Sequence, residues 1–237
     1  MEKKFKIFMD FDGTVTEIDV GEAIFREFGD KDKSDEIVDD LLNDRISSKE
    51  CWIKLCHSIP KIDKKKLDEF INKMCVDPTF NNLIDYCNER KTELYILSDG
   101  FDYYVDKILE KNNIKGIKTF SNHLEVRDRL IPDFPYYDEA CFSSSNCKRN
   151  HIINNSSDDD FTVFIGDGNS DKDAVEYCDF VFAKNDLLRY CEIERITFFP
   201  FKDFNDVIKK LGELEKKKRL KKTHRAQLKR QQAYINE

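Results

Sequence analysis

The sequence predicts an α/β fold: a mainly parallel sheet flanked by helices, with a helical segment inserted after the first strand. Three observations predict it. Short apolar runs at residues 5–9 (FKIFM), 93–97 (ELYIL), 161–165 (FTVFI) and 179–183 (DFVFA) read as buried strands. Helical periodicity separates the later runs, and strands alternating with helices imply right-handed crossovers and parallel pairing. Across residues 17–75 strand character disappears and helical spacing takes over, as in Ile24 and Phe28, then Ile37, Leu41 and Leu42.

Taken in order, Ser47 with Glu50 three residues on marks the start of a helix running through Cys56. Pro60 and Pro78 punctuate the region. After residues 93–97, Ser98, Asp99 and Gly100 lead into a helix whose apolar positions, Phe101, Tyr104, Val105, Ile108 and Leu109, share one face. Residues 117–140 alternate weakly and contain Pro132 and Pro135, which suits a short hairpin or flap. Helices are expected from about Asn146 and about Ser170, a short strand at 196–199, and a helical tail from Asp203 weakened by Gly212. The expected organisation is a core over 1–16 and 76–207, a helical cap over 17–75 and a basic helical tail over 208–237.

With 237 residues, 40% of them apolar, the chain can bury a substantial core. No apolar run approaches the roughly 18 residues that span a bilayer. The first residues, MEKKFKIFMDFD, pass from a short apolar stretch straight into acids, unlike a signal peptide. A cytoplasmic protein with no membrane partner is expected. None of the eight cysteines forms a C-x-x-C pair, so reduced thiols are expected. Cys141 and Cys147 flank a Ser-rich loop, but two thiolates fall short of a four-ligand zinc site.

The net charge of −7 hides an asymmetry: residues 216–230 carry nine Lys or Arg and no acid, while the first 215 hold 31 basic against 46 acidic residues. Such a tail meets nucleic acid or anionic lipid, ends as a solvated helix, or lies against its own acidic body. No aromatic residue interleaves it as a stacking platform for nucleic acid would require.

In a parallel sheet, ligands lie beyond the carboxyl ends of the strands. Polar clusters fall there: Asp10 and Asp12 after the first strand, Ser98 after the second, Asp167 and Asp171 after a later one. Each has an ordinary explanation alone. Asp12-Gly13 could be a turn, Ser98 and Ser170 helix caps, and Lys148 a surface lysine. Gathered at one rim, they are hard to explain as surface solvation. Carboxylates this close repel one another, and a divalent cation such as Mg2+ relieves the repulsion. A phosphate beside that cation would be held by Ser98, the N–H groups of Asp99 and Gly100, and Lys148. The four histidines fit no ligand spacing.

MDFDGTVT (9–16), ILSDG (96–100), Lys148 in SSNCKRN, and IGDGNSDKDA (165–174) resemble, in order, the four motifs of the haloacid dehalogenase superfamily. The resemblance spans residues 5 to about 205. It implies a Rossmann-like core and a magnesium-dependent phosphatase in which Asp10 attacks phosphorus and Asp12 serves as acid and then base. Asp10, the backbone carbonyl of Asp12, and Asp167 would hold the metal, and Asp171 would support its waters or position Lys148. Ser98 and Lys148 would bind the phosphoryl oxygens. An acid at Asp12 separates phosphatases and phosphomutases from the dehalogenases and transport ATPases of this fold.

A helical insert directly after the first motif resembles the phosphoserine phosphatase branch. CFSSSNCKR, SDGFDYYVDKIL and FAKNDLL are similar to a subgroup that includes the 2-hydroxy-3-keto-5-methylthiopentenyl-1-phosphate phosphatases of methionine salvage, and the first is also similar to phosphoethanolamine and phosphocholine phosphatases. Asp19 falls where phosphoserine phosphatase places an acid against the substrate amine, but that enzyme's cap arginine aligns with Leu55. The implied partner is a small phosphorylated metabolite. A non-catalytic domain that binds through its basic tail is the reading of another class, and the intact Asp10–Asp12 pair argues against it.

Overall fold

A computed structural model describes residues 4–235. Residues 1–3 and 236–237, the outermost parts of the expected core and tail, lie outside the described residues. The chain opens with β1 (Phe5–Met9), in which every residue but Lys6 is buried. Four helices follow without a strand: α1 (Val20–Phe28), α2 (Lys31–Leu42), α3 (Ser48–Ser58) and α4 (Lys64–Ile71). Asp19, Asp30, Ser47 and Asp63 each accept a hydrogen bond from the free backbone amides of the first turn, which is why each helix starts where it does. Ser47 and Glu50 complete the expected capping box.

The rest runs α5 (Phe80–Arg90), β2 (Glu93–Phe101), α6 (Asp102–Lys111), β3 (Lys118–Val126), β4 (Leu130–Asp133), α7 (Lys148–Asn154) and β5 (Phe161–Gly166). After a 3-10 turn (Asn169–Asp171) come α8 (Lys172–Val175), β6 (Phe180–Ala183), α9 (Asn185–Ile193), β7 (Phe199–Pro200), α10 (Phe204–Lys216) and α11 (His224–Ile235). The strands form one sheet in the order β4-β3-β2-β1-β5-β6-β7, parallel throughout except for the antiparallel β3–β4 hairpin. The chain passes from β1 to β2 on one side and later to β5 on the other. That makes the carboxyl end of β1 the switch point, where a crevice must open.

Alternating side chains send Ile7, Met9, Ile96, Val163 and Ile165 to one face, in a cluster with residues of α5, α6 and α10 that continues into the four-helix insert. Phe8, Tyr95, Leu97, Phe164 and Val181 face the other way, against α7, α8 and α9. Buried on both faces, the central strands read as continuous apolar runs rather than alternating ones.

Several elements differ from expectation. β2 runs four residues past Leu97 and its register with β3 shifts there, so Ser98–Gly100 lie within the strand's end. α5 and α9 were not expected; α5 does carry an amphipathic face in Phe80, Leu83 and Cys87. The last strand is Phe199–Pro200 instead of 196–199. A disulfide joins Cys141 to Cys147 where reduced thiols were expected. The loop folds back on itself through Cys141 N–H to the Asp138 carbonyl and Cys147 N–H to the Tyr136 carbonyl, leaving the two Cα atoms 5.9 Å apart.

Gly212 does not interrupt α10, which crosses the expected 207/208 boundary and packs on α5 through Phe80–Phe204 and a Tyr86–Glu215 hydrogen bond of 2.8 Å. α11 docks at the amino ends of β5 and β6. Arg230, 2% exposed, reaches Asp179, Thr162 and the Tyr177 carbonyl, and Lys229 pairs with Glu176. The basic tail therefore lies against the acidic body. Among the described residues, no helix is long and apolar enough to cross a membrane.

Candidate active site

The Asp10 N–H donates to the Ile165 carbonyl, which fixes the end of β1 beside β5. The chain then turns sharply as the amides of Thr14, Val15 and Thr16 all reach the Phe11 carbonyl. Gly13 sits in this turn at φ +74°, and a Cβ there would come within 2.6 Å of Asp167 Oδ2. A glycine is required on both counts. The turn brings Asp10, Asp12 and Asp167 to one rim, with Thr14 Oγ1 donating to Asp167 Oδ1 at 2.9 Å.

Lys148 is not a surface lysine. It is 1% exposed, and its Nζ donates to Asp10 Oδ1 (2.5 Å), Asp171 Oδ1 (2.6 Å) and Ser170 Oγ (3.0 Å). The other oxygen of Asp171 accepts the amides of Asp167 and Gly168. Asp171 is thus the support that aims Lys148 at Asp10. Burial pulls the Lys148 ammonium down, but Asp10 and Asp171 outweigh it and hold it above its ordinary value. Burial also lifts Asp10 well above the usual carboxylate range despite Lys148, with Asp171, Asp167 and Asp12 adding to the rise. Asp167 is raised by burial and by Asp171. One ammonium is shared among more carboxylates than it can neutralise.

The Asp12 side chain turns away from that cluster. Its carboxylate accepts from Tyr104 Oη (2.7 Å), Val20 N (3.0 Å) and Ser98 Oγ (3.2 Å). Burial pushes it up to about 6, against the pull of those three donors. Gly100 makes room for this, because a Cβ there would collide with Tyr104 Oη and approach Asp12 Oδ2 to 2.8 Å.

Asp10, Asp12, Asp19, Asp99, Gly100 and Asp167 line a single cavity of about 380 Å³, with Ser98, Lys148 and Asp171 buried behind it. One detail of the expected phosphate cradle changes: the Gly100 N–H donates to Ser98 Oγ at 3.0 Å. The Asp99 side chain, which that cradle does not use, is engaged by the insert and by the loop before α7. Asp19 opens onto the cavity and also caps α1 through Glu22 N. Its carboxyl is raised by desolvation against the cleft walls and by Asp12's charge, although the residue stays exposed at the cavity mouth.

The opposite wall comes from the insert: Val38, Leu41 and Leu42 of α2 with Cys51, Trp52 and Leu55 of α3. Lys54, next to Leu55, is exposed and is not part of the lining. Tyr104, Thr14, Ser170 and Asn185 were not singled out as site residues, yet each bonds a carboxylate or the lysine of the rim. Tyr104 read as one apolar position of a helix face, and nothing in the spacing distinguishes a hydroxyl aimed at a carboxylate 92 residues away.

Residues 5–195 match the family model described as Putative Phosphatase. The chain belongs to the Putative Phosphatase family. This bears out the phosphatase reading of the four motifs. The chain is 31% identical over 213 residues to the 2-hydroxy-3-keto-5-methylthiopentenyl-1-phosphate phosphatase of Bacillus mycoides (strain KBAB4), covering 88% of this chain and 96% of that one. It is 28% identical over 222 residues to Pdp3-interacting factor 1 of Schizosaccharomyces pombe, covering 90% and 97%. The fold is that of a solved phosphoserine phosphatase, a phospho-aspartyl intermediate analogue, at a TM-score of 0.70 and 20% identity over 88% of this chain and 99% of that chain.

Proposed function

We propose that this phosphatase hydrolyses a small phosphomonoester with magnesium, through a phosphorylated Asp10 and with Asp12 as proton carrier. The observation that carries the reading is the Asp10–Lys148–Asp171 cluster at a cavity lined, among the described residues, by seven carboxylates and by no Lys or Arg. A phosphate dianion is repelled by that lining unless a cation comes with it. Oxygen atoms of Asp10, Asp167 and Asp171 lie within 4.8 Å of one another. Asp171 is taken by Lys148 and two amides, which leaves Asp10, Asp167 and the Asp12 carbonyl as the hard oxygen set that suits magnesium. When bound, the metal would neutralise charge on the phosphoryl oxygens.

The residues divide the remaining work. Asp10 attacks phosphorus, and Lys148 meets the charge on the transferring group. The bond to the alcohol breaks as Asp12 gives the alcohol oxygen its proton. Asp12, now ionised, takes a proton from water. That water attacks phosphorus, the bond to Asp10 breaks, and inorganic phosphate leaves. Elevation of Asp12 to about 6 suits a group that must hold and release a proton near neutral pH.

The insert wall bears on the leaving alcohol. Its apolar side chains fit a substituent such as the methylthio group of 2-hydroxy-3-keto-5-methylthiopentenyl-1-phosphate, and the similarity to phosphatases named for that compound supports it. Asp19, Glu22 and Trp52 in the same lining favour a second reading, a cationic alcohol such as ethanolamine or choline. Among the described residues a substrate carboxylate has no cationic partner in the lining, which disfavours phosphoserine. Magnesium-dependent turnover of p-nitrophenyl phosphate by wild type but not by Asp10→Asn tests the chemistry. Ranking kcat/KM for the methylthio compound, phosphocholine, phosphoethanolamine and phosphoserine tests the wall. A best rank for phosphoserine would overturn the substrate reading.

A further inference from the structure

Asp99 sits within the second motif, yet its side chain does something the phosphate cradle does not use. Its Oδ2 accepts from Ser48 Oγ (2.6 Å) and from the Trp52 indole N–H (3.2 Å), both on α3 of the insert. Its Oδ1 accepts from Ser145 N (2.6 Å), Ser145 Oγ (2.9 Å) and Asn146 N (2.9 Å), and Ser144 Oγ, 2.9 Å away, shares its one proton between Asp99 and the Asn146 carbonyl (2.6 Å), all in the loop that delivers Lys148. Each oxygen faces a different part of the chain. An acceptor-only carboxylate can satisfy donors on both sides at once, which an amide or hydroxyl cannot.

The surrounding groups are built to match. Ser48, Ser144, Ser145 and Asn146 are each 1% exposed or less. The Asn146 side chain donates to the Ser98 and Phe120 carbonyls, and Asn122 donates to the Asp99 carbonyl and to Ser145 Oγ. The Ser48 N–H reaches the Phe142 carbonyl, a second tie between α3 and the same loop. Trp52 packs edge-on against Phe101 at 5.0 Å. Asn122 Oδ1 lacks a partner, but the groups facing Asp99 are all bonded, and a buried network of this kind favours one arrangement of the elements it joins.

We propose that Asp99 is a positioning residue that holds the helical insert over the cavity and, through its other oxygen, holds the 144–146 loop so that Lys148 meets Asp10. Closure over the leaving group and aim of the phosphate-side lysine are thereby set by one carboxylate. The kinetic consequence rests on the reaction proposed above; the closure itself does not.

Trp52 is the only tryptophan of the chain, so its emission reports the insert side of this joint directly. In Asp99→Ala the emission shifts to longer wavelength as water reaches the indole, and kcat falls about a hundredfold, the scale of an ångström-sized misplacement of a reacting group. In Asp99→Asn, one face of the carboxylate becomes a donor facing donors, and kcat falls by about tenfold. Ser48→Ala loosens only the insert side: KM rises more than kcat falls, and the emission moves part of the way. A merely structural Asp99 would lower Tm while leaving kcat per folded molecule and the emission unchanged. An Asp99 that reads the substrate itself would change the ranking of neutral and cationic phosphate esters with the emission unmoved. Either result overturns the proposal. Should wild type show no turnover, the reaction fails on its own, and the emission of Asp99→Ala still decides the joint.

Discussion

Two buried cations stand at opposite ends of the same sheet. Lys148, 1% exposed, lies among carboxylates at the carboxyl ends of β1 and β5; Arg230, 2% exposed, lies against Asp179 at the amino ends of β5 and β6. By burial and pairing the two look alike. They differ in what is left over. Asp179 is consumed by its neighbours: it accepts from Thr162 N, Thr162 Oγ1, Thr223 N and the Arg230 guanidinium. Asp10 is held on one oxygen by Lys148 and lines an open cavity. A buried ion pair is weak evidence for function. An incompletely neutralised carboxylate facing a cavity at the switch point of the sheet is stronger evidence.

The largest effect that separates the two ends is on turnover. Asp10→Asn should lower kcat by about ten-thousand-fold or more, the scale seen when a nucleophile is removed, while the far UV circular dichroism stays that of the folded protein. Arg230→Ala should leave kcat per folded molecule unchanged. Equal losses of kcat in both variants would erase the distinction.

Stability reverses the order. Removing Arg230 leaves Asp179 buried without its cation, which costs about 3–5 kcal/mol, read as a lower midpoint in urea. Truncation after Glu215 removes Thr223 and Arg230 together and should destabilise by at least as much. A double change, Asp179→Asn with Arg230→Met, removes both charges and should recover part of the loss. If truncation leaves the midpoint in place, the docking of α11 contributes nothing to the fold.

A smaller effect tests the wiring of the rim. Asp12 stands at about 6, above its ordinary value, and in the reaction proposed above it carries a proton when the alcohol departs. kcat/KM should therefore decline as pH rises through that value. Tyr104 donates to the ionised carboxylate and so holds it down; Tyr104→Phe should raise Asp12 further and move the alkaline limb to higher pH, with kcat falling about tenfold or more for the lost charge-assisted bond. A limb that stays in place would show that Tyr104 does not govern Asp12.

The rim was legible in the sequence because each member follows a short apolar strand, and strands leave a local trace. Asp10, Asp12, Ser98, Asp167 and Asp171 needed only that trace and the rule that parallel strands end at ligands. The second role of Asp99 was not legible: its donors lie 45 to 51 residues away, at Ser48, Trp52, Ser144, Ser145 and Asn146, and a long-range hydrogen bond imposes no period on the residues between. Arg230 was hidden for the same reason, one cation among nine in a run that reads as solvated. α9 escaped because only Leu187 and Cys191 of its nine residues are buried, too few to mark a face.

The smallest effect separates the start of α3 from the joint it carries. Ser47 caps α3, accepting the Glu50 amide while its own amide donates to Glu50 Oε2. Ser47→Ala removes the side-chain half of this box and should cost about 1 kcal/mol. Ser48 and Trp52 stay on their own turns, so the first-order expectation is a small stability loss with Trp52 emission and KM unchanged. If KM rises instead, the cap is needed to keep α3 in register with Asp99, and the insert is held by its helix start as much as by the carboxylate beneath it.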